Sequence, residues 1–332
     1  MPRPRAAIIG LSGHALSAEE AALLREAPPA GVILFTRNVA DPDQLQRLTA
    51  DVRELLGEAA PILVDQEGGR VARLSPPYWP AFPPASAFRG RPAEAAEANA
   101  ALIGLICAEV GIDVVCAPVL DLRLPETHGV IGDRAFAAEP AEVARLGRAW
   151  VAGLQQAGCV PVLKHLPGHG RATADSHLEL PRVEAGRDAL AEDCAPFAAL
   201  AGTGAWAMTA HILYPALDPW RPATLSPTII GRVIRHAIGF QGVLVSDDLC
   251  MKALRGAPAA RARQAIAAGC DLVLHCSGVL AESAALLAGC PLLSDQAAAR
   301  IAAARGRTAG HRRELDPGVL LAVRDAHLQA IT

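Results

Sequence analysis

The stretch KHLPGHGRATADSH, residues 164–177, places Lys164, His165, His169, Asp175 and His177 within fourteen positions. Imidazoles that titrate near pH 6.5, beside a carboxylate and an ammonium, are the raw material of proton transfer. Asp175 and His177 stand two apart, so in an extended segment their side chains share a side. A carboxylate beside an imidazole fixes its tautomer and raises its pKa. The pattern therefore reads as a dyad in which Asp175 orients and His177 moves protons. The plainer reading is a solvated loop, with Asp175 in a local turn. His169 sits between Gly168 and Gly170, and that turn suits a structural role.

A second candidate is Asp247, at the end of the apolar run GVLVSDDL. A carboxylate there is open to three roles: nucleophile, metal ligand or general base. Its neighbour Asp248 fits an N-cap of the next helix. Alternation along a strand sends the two carboxylates to opposite sides without saying which faces inward. A third candidate is DQEGGRVAR, residues 65–73, read as a strand end, a Gly-Gly turn and a second short strand. Asp65 and Arg73 would grip polar groups of a ligand, Arg73 with a rigid donor fork.

These groups need elements to hold them. Eight short apolar runs recur: residues 6–10, 31–35, 61–65, 113–117, 160–164, 206–210, 243–247 and 272–276. They are continuous rather than alternating, as strands buried on both faces of a parallel sheet are. Helical stretches lie between them. DPDQLQRLTADVRELLG carries Asp and Pro at its start and Gly at its end, which are helix start and stop signals. EPAEVARLGRAWVAGLQQAG also ends in Gly, just before a strand. Eight strand–helix units over 332 residues predict an α/β fold, a single-domain (β/α)₈ barrel spanning 1–332, with a terminal helix or tail after about residue 305. A doubly wound open sheet is the rival, usually with fewer strands. The Pro-rich patch 75–88 reads as a long loop. Asp65, Lys164, His165, His211, Asp247 and His275 all fall at or just after the C-terminal ends of runs. In a barrel those ends converge on one mouth.

Composition narrows the function classes. The chain is 52% hydrophobic and 20% charged with a net charge of −3, so no electrostatic footprint for nucleic acid is present. Aromatics at 4% argue against a long aromatic-paved groove. Eight scattered cysteines without a C-x-x-C pair suit a reducing compartment. The apolar start is cut by Gly10, Ser12, Gly13 and His14 too early for a secretion signal. No run approaches the ~18 apolar residues of a membrane span. The expectation is a cytoplasmic protein with no membrane partner. There is no G-x-G-x-x-G after a strand, and no H-x-H or H-E-x-x-H. A metal cluster from His165, His169, His177, His211 and Asp247 and a Schiff base on Lys164 stay open as competitors.

In order, GVILFTRN, DQEGGRVARL, APVLDL, GVIGDRAF, KHLPGHGRATADSHLELP, MTAHILYPALDP, GVLVSDDLCM and AGCDLVLHC closely resemble the bacterial β-N-acetylhexosaminidases of glycoside hydrolase family 3. The likeness runs from about Ala6 to Cys276. It implies a compact barrel, Asp247 as nucleophile, and His177 as acid/base with Asp175 as partner. It implies that Asp65, Arg73, Arg134, Lys164 and His165 hold a terminal N-acetylglucosamine. It also implies a retaining exo-enzyme acting on cell-wall muropeptide fragments containing anhydro-muramic acid. The expected partner is that small sugar substrate, acted on by a monomer that needs no cofactor and no metal. Leu166, where Phe is usual, and Cys250, where Ser is commoner, depart from the family pattern. Alternatives are phosphorolysis, a metal-dependent hydrolase on the same barrel, and a non-catalytic sugar-binding relative.

Overall fold

The computed structural model describes residues 3–176 and 178–328. Eight parallel strands close into a barrel in chain order. They are β1 (Arg5–Gly10), β2 (Pro29–Leu34), β3 (Ile62–Val64), β4 (Val114–Val115), β5 (Val160–Leu166), β6 (Trp206–Thr209), β7 (Leu244–Asp248) and β8 (Leu272–His275). Closure is made by β1, where Ile8 lies opposite Gly31 of β2 on one side and Leu274 of β8 on the other. The strands are buried almost throughout, which is why their sequences are apolar without alternation. At Gly31 a Cβ would collide with the carbonyl oxygen of Pro61, so only glycine lets β2 and the start of β3 approach this closely.

The first four helices are α1 (Ala18–Glu26), α2 (Pro42–Leu56), α3 (Ala93–Glu109) and α4 (Pro140–Gln156). They are followed by α5 (Arg187–Leu200), α6 (Pro258–Ala268), α7 (Leu280–Gly289), α8 (Asp295–His311) and α9 (Pro317–Leu328). Their starts follow local chemistry. Ser17 and Glu20 form a reciprocal capping box on α1, at 3.1 Å in each direction. Asp41 accepts the Gln44 N–H at 2.8 Å, with Pro42 opening α2 and Gly57 (φ 91°) closing it. Outside the barrel, Trp150 of α4 meets Phe88 and Phe136 edge-on, each at 5.5 Å between ring centroids.

One local expectation is corrected. The second strand of residues 65–73 is only a bridge between Gly68 and Val71, because the Gly68–Gly69 turn folds the chain straight back. The segment 229–237 between β6 and β7 is a wider helix of i→i+5 type. Past residue 305 the chain is helical: α8 runs through to His311, and α9 packs against α3. Of the described helices, none is long and apolar enough to cross a membrane.

Candidate active site

The C-terminal mouth of the barrel holds a cavity of about 240 Å³ lined by Asp65, Glu67, Arg73, Arg134, Lys164, His165, His169, Ser176, Asp247 and Asp248, with apolar walls from Phe35, Met208, Met251 and Leu274. Each polar group arrives by a traceable local route.

Asp65 directly follows β3. The buried Gln66 then ties the returning chain down: its Oε1 accepts the N–H groups of Arg73 at 2.7 Å and Leu74 at 3.0 Å, and its Nε2 donates to the Leu74 carbonyl at 2.8 Å. That clasp, closed by the Gly68–Gly69 turn, returns Arg73 to Asp65, with Nη2 to Oδ2 at 3.3 Å. Lys164 of β5 lies between two carboxylates, 2.9 Å from Asp65 Oδ1 and 2.5 Å from Glu67 Oε1. Arg134 holds Glu67 bidentately at 2.8 and 2.9 Å. The result is a charged chain running Arg73–Asp65–Lys164–Glu67–Arg134.

Burial alone would push both carboxylates toward neutrality. Lys164 and Arg73 outweigh it at Asp65 and hold that carboxyl well below its usual range. Arg134 and Lys164 outweigh burial at Glu67 and bring it to about 2. Burial would favour the neutral Lys164 amine, but Asp65 and Glu67 outweigh it and keep the ammonium. A Schiff base needs a free amine, so this pairing argues against one.

The pairing of β5 with β6 slips between Leu163 and Leu166, which breaks strict alternation and lets neighbouring Lys164 and His165 both face the cavity. The peptide between them is cis. Asp121, after β4, anchors the second half of this corner. Its Oδ2 is 2.7 Å from His165 Nδ1, and its Oδ1 accepts the backbone N–H groups of His165 at 3.1 Å and His169 at 2.7 Å. Burial is again outweighed, here by His165 first, and Asp121 is lowered to about 2. An ionised partner only accepts, so His165 carries its proton on Nδ1. His169 is held by its backbone and stacks edge-on to His165 at 5.7 Å. Burial lowers its pKa to about 4 despite Asp121 nearby, so it is a neutral ring near pH 7.

Asp247 and Asp248 both line the cavity, and Asp247 is the more buried, with only 8% of the residue exposed. Burial opposes its charge, but His165, His211, the Asp248 N–H at 2.8 Å and Lys164 together lower its pKa. Ser246 clamps the strand behind it, donating to the Asp247 carbonyl at 2.7 Å and accepting the Leu274 N–H at 3.0 Å. His211, after β6, reaches Thr224 Oγ1 at 2.7 Å and the Asp248 carbonyl at 3.0 Å. Asp248 does not cap α6, whose N-cap is Ala257. Its carboxylate instead accepts the N–H groups of Cys250 at 2.9 Å and Cys276 at 3.0 Å, because the chain turns at once after β7.

Of the sequence candidates, Asp65, Arg73, Arg134, Lys164, His165 and Asp247 line one cavity. Asp175 heads a turn rather than an extended segment, its carbonyl accepting from Leu178 at 3.0 Å and Glu179 at 3.1 Å. His177 lies outside the described residues. Its neighbour Ser176 lines the cavity and accepts the Ala253 N–H at 3.3 Å. Among the described residues, the group with metal-ligand spacing is Asp248, Cys250 and His275 rather than the histidines first considered. Two site residues escape the sequence reading. Glu67 stands two positions from Asp65, a strand spacing that signals a shared side. Asp121 is a lone acid in the apolar stretch that follows β4.

A closed (β/α)₈ barrel with an ionised carboxylate at its mouth, facing a cation–carboxylate clamp, defines an enzyme that holds a small hydroxyl-rich substrate. The family model "Glycosyl hydrolase family 3 N terminal domain" matches residues 6–304. A protein of Alkalilimnicola ehrlichii named beta-hexosaminidase is 44% identical over 280 residues, covering 81% of this chain and 80% of its own. The NagZ structure from Neisseria gonorrhoeae in complex with N-trifluoroacetyl-D-glucosamine has a TM-score of 0.82 at 33% identity, over 99% of this chain and 96% of that one. A family 3 β-N-acetylglucosaminidase from Paenibacillus has a TM-score of 0.85 at 33% identity and covers 94% of this chain, which spans 62% of that longer one. The chain belongs to glycosyl hydrolase family 3 and is a glycoside hydrolase.

Proposed function

We propose that the enzyme is a retaining exo-β-N-acetylglucosaminidase that releases terminal N-acetylglucosamine from muropeptide fragments of the form GlcNAc-1,6-anhydro-MurNAc, in cytoplasmic peptidoglycan recycling. One observation carries this reading: an ionised, buried Asp247 shares a cavity of about 240 Å³ with Asp65, Arg73, Lys164 and His165. That volume lies below the ~300 Å³ typical of the smaller ligand sites, which favours one sugar ring and cleavage at a chain end. The names of the relatives support the N-acetylhexosamine preference.

In the first step an Asp247 oxygen bonds to the anomeric carbon as the glycosidic C–O bond breaks, through an oxocarbenium-like transition state. The leaving oxygen takes a proton from His177, which Asp175 orients. In the second step His177 takes a proton from water, the water oxygen bonds to the anomeric carbon, and Asp247 leaves as a carboxylate. Asp65 and the Arg73 and Lys164 cations provide acceptors and donors for the sugar hydroxyls. The ordinary imidazole pKa of about 6.5 lets His177 serve as acid and then base near neutral pH.

A 5-fluoro-N-acetylglucosaminyl inactivator, which keeps the 2-acetamido group, tests the assignment. The label is expected on the peptide containing Asp247, specifically on that residue. A label on Asp248, or product formation that requires added phosphate, would refute the scheme. Chromogenic N-acetylglucosaminide should be turned over far faster than the glucoside.

A further inference from the structure

Behind the nucleophile strand lies a cluster that the hydrolytic mechanism does not use. Asp248, Cys250 and His275 offer a carboxylate oxygen, a sulfur and an imidazole nitrogen, with the three donor atoms all within 4.8 Å of one another. They come from two adjacent strands: Asp248 ends β7, Cys250 follows it by one turn, and His275 ends β8. We propose that these three side chains form a binding site for a divalent transition-metal ion, with Zn²⁺ the best fit, completed by water from the cavity.

The spacing suits the ion. Zn–N near 2.0 Å and Zn–S near 2.3 Å in a tetrahedron put neighbouring donors about 3.5 Å apart. Cys250 Sγ is 3.1 Å from His275 Nδ1, so an opening of a few tenths of an ångström admits the metal. The imidazole is oriented for the task. Its Nδ1 faces the sulfur, while its Nε2 lies 3.2 Å from Ser277 Oγ and 3.7 Å from Glu282 Oε2. A proton on Nε2 held by that hydroxyl and carboxylate leaves Nδ1 bare, the arrangement that outer partners impose on metal-bound histidines. Asp248 is equally fixed, since one oxygen accepts the Cys250 and Cys276 N–H groups and so holds the carboxylate beside the sulfur.

Access agrees. Asp248 and Cys276 line the cavity, which gives the ion a route in and the fourth ligand a source. A cysteine without a metal is a thiol near neutral pH, so the free protein holds Cys–SH. Binding then exchanges one proton for the metal: the S–H bond breaks, the Zn–S bond forms, and H⁺ leaves to solvent. A mixed S, N, O donor set selects zinc or cobalt over magnesium or calcium, which prefer all-oxygen ligands.

Titration of the purified full-length protein with Co²⁺ tests the site without relying on glycosidase activity. The expected result is one ion per chain, with visible bands of tetrahedral cobalt and a near-ultraviolet thiolate-to-cobalt band. Cys250→Ser should abolish the thiolate band and weaken Zn²⁺ binding at least about 100-fold, the upper range seen on losing a mere outer partner. His275→Gln should keep the thiolate and still weaken binding. Zn²⁺ should raise the Tm of the wild type and leave that of Cys250→Ser unmoved. Wild-type protein that shows no thiolate band, or equal zinc affinity in wild type and Cys250→Ser, would overturn the proposal. Either outcome would make the Cys250–His275 contact a plain hydrogen bond.

Discussion

Asp247 is a carboxylate that burial pushes toward neutrality and that its neighbours keep charged. His165, His211, the Asp248 N–H and Lys164 together lower its pKa, so the group is held as the carboxylate that the proposed nucleophilic role needs. Replacing Asp247 with Asn keeps the shape and removes the charge. Turnover of an aryl N-acetylglucosaminide should fall on the order of 10³-fold or more, with the circular dichroism unchanged. The clamp makes a separate statement about pH. Arg134 and Lys164 hold Glu67 at about 2 in the folded state, below the usual 4.5, and His165 holds Asp121 at about 2, below the usual 3.8. Both folded values are depressed, so both contributions are fully present above pH 4.5 and fade as pH falls toward 2. His169, at about 4 folded against 6.5, adds stability loss of the same sign starting near pH 6.5, because the unfolded imidazole takes up the proton first. Urea midpoints measured from pH 7 to 3 should therefore decline on acidification, and Glu67→Gln should flatten the portion below pH 4.5.

At the scale of elements, the site is held by turns as much as by strands. Eight apolar runs are enough to place Asp65, Lys164, His165 and Asp247 at one mouth, since strand ends in a barrel converge whatever their sequence. The same reading does not reach Glu67 or Asp121, because their importance comes from partners on other strands: Arg134 and Lys164 for one, His165 for the other. Periodicity also cannot tell Asp247 from Asp248. That choice is made by the register slip between β7 and β8 after Val245 and by the turn that engages the Asp248 carboxylate. The DQEGGRVAR segment shows the same limit, for its two glycines signal a turn without showing that Gln66 clasps it. Gly68 has φ +87°, and a Cβ there would meet the Pro83 carbonyl oxygen. Gly68→Ala should cost about 1 kcal/mol or more of stability, read as a lower urea midpoint. It should also raise KM more than it lowers kcat, because the turn positions Arg73 rather than Asp247.

At the scale of the molecule, the two halves of the proposed chemistry arrive by different means. The nucleophile is built into β7, where Ser246 and the β8 pairing fix it. The proposed acid/base comes on the connection between β5 and α5, which reaches the mouth where Ser176 accepts the Ala253 N–H. One half sits on a barrel strand; the other sits on a connection joined to the turn after β7. The division predicts separable defects. His177→Ala leaves Asp247 able to attack, so glycosides whose leaving group needs no proton should keep most of their first-step rate. Substrates with poor leaving groups should lose about 10²-fold or more, the share that general acid catalysis supplies. A series of aryl N-acetylglucosaminides of rising leaving-group pKa measures this directly. The slope of log kcat/KM against that pKa should steepen in the variant. Equal losses across the series would mean that His177 is not the acid, and that the loop serves the barrel in some other capacity than delivering a proton.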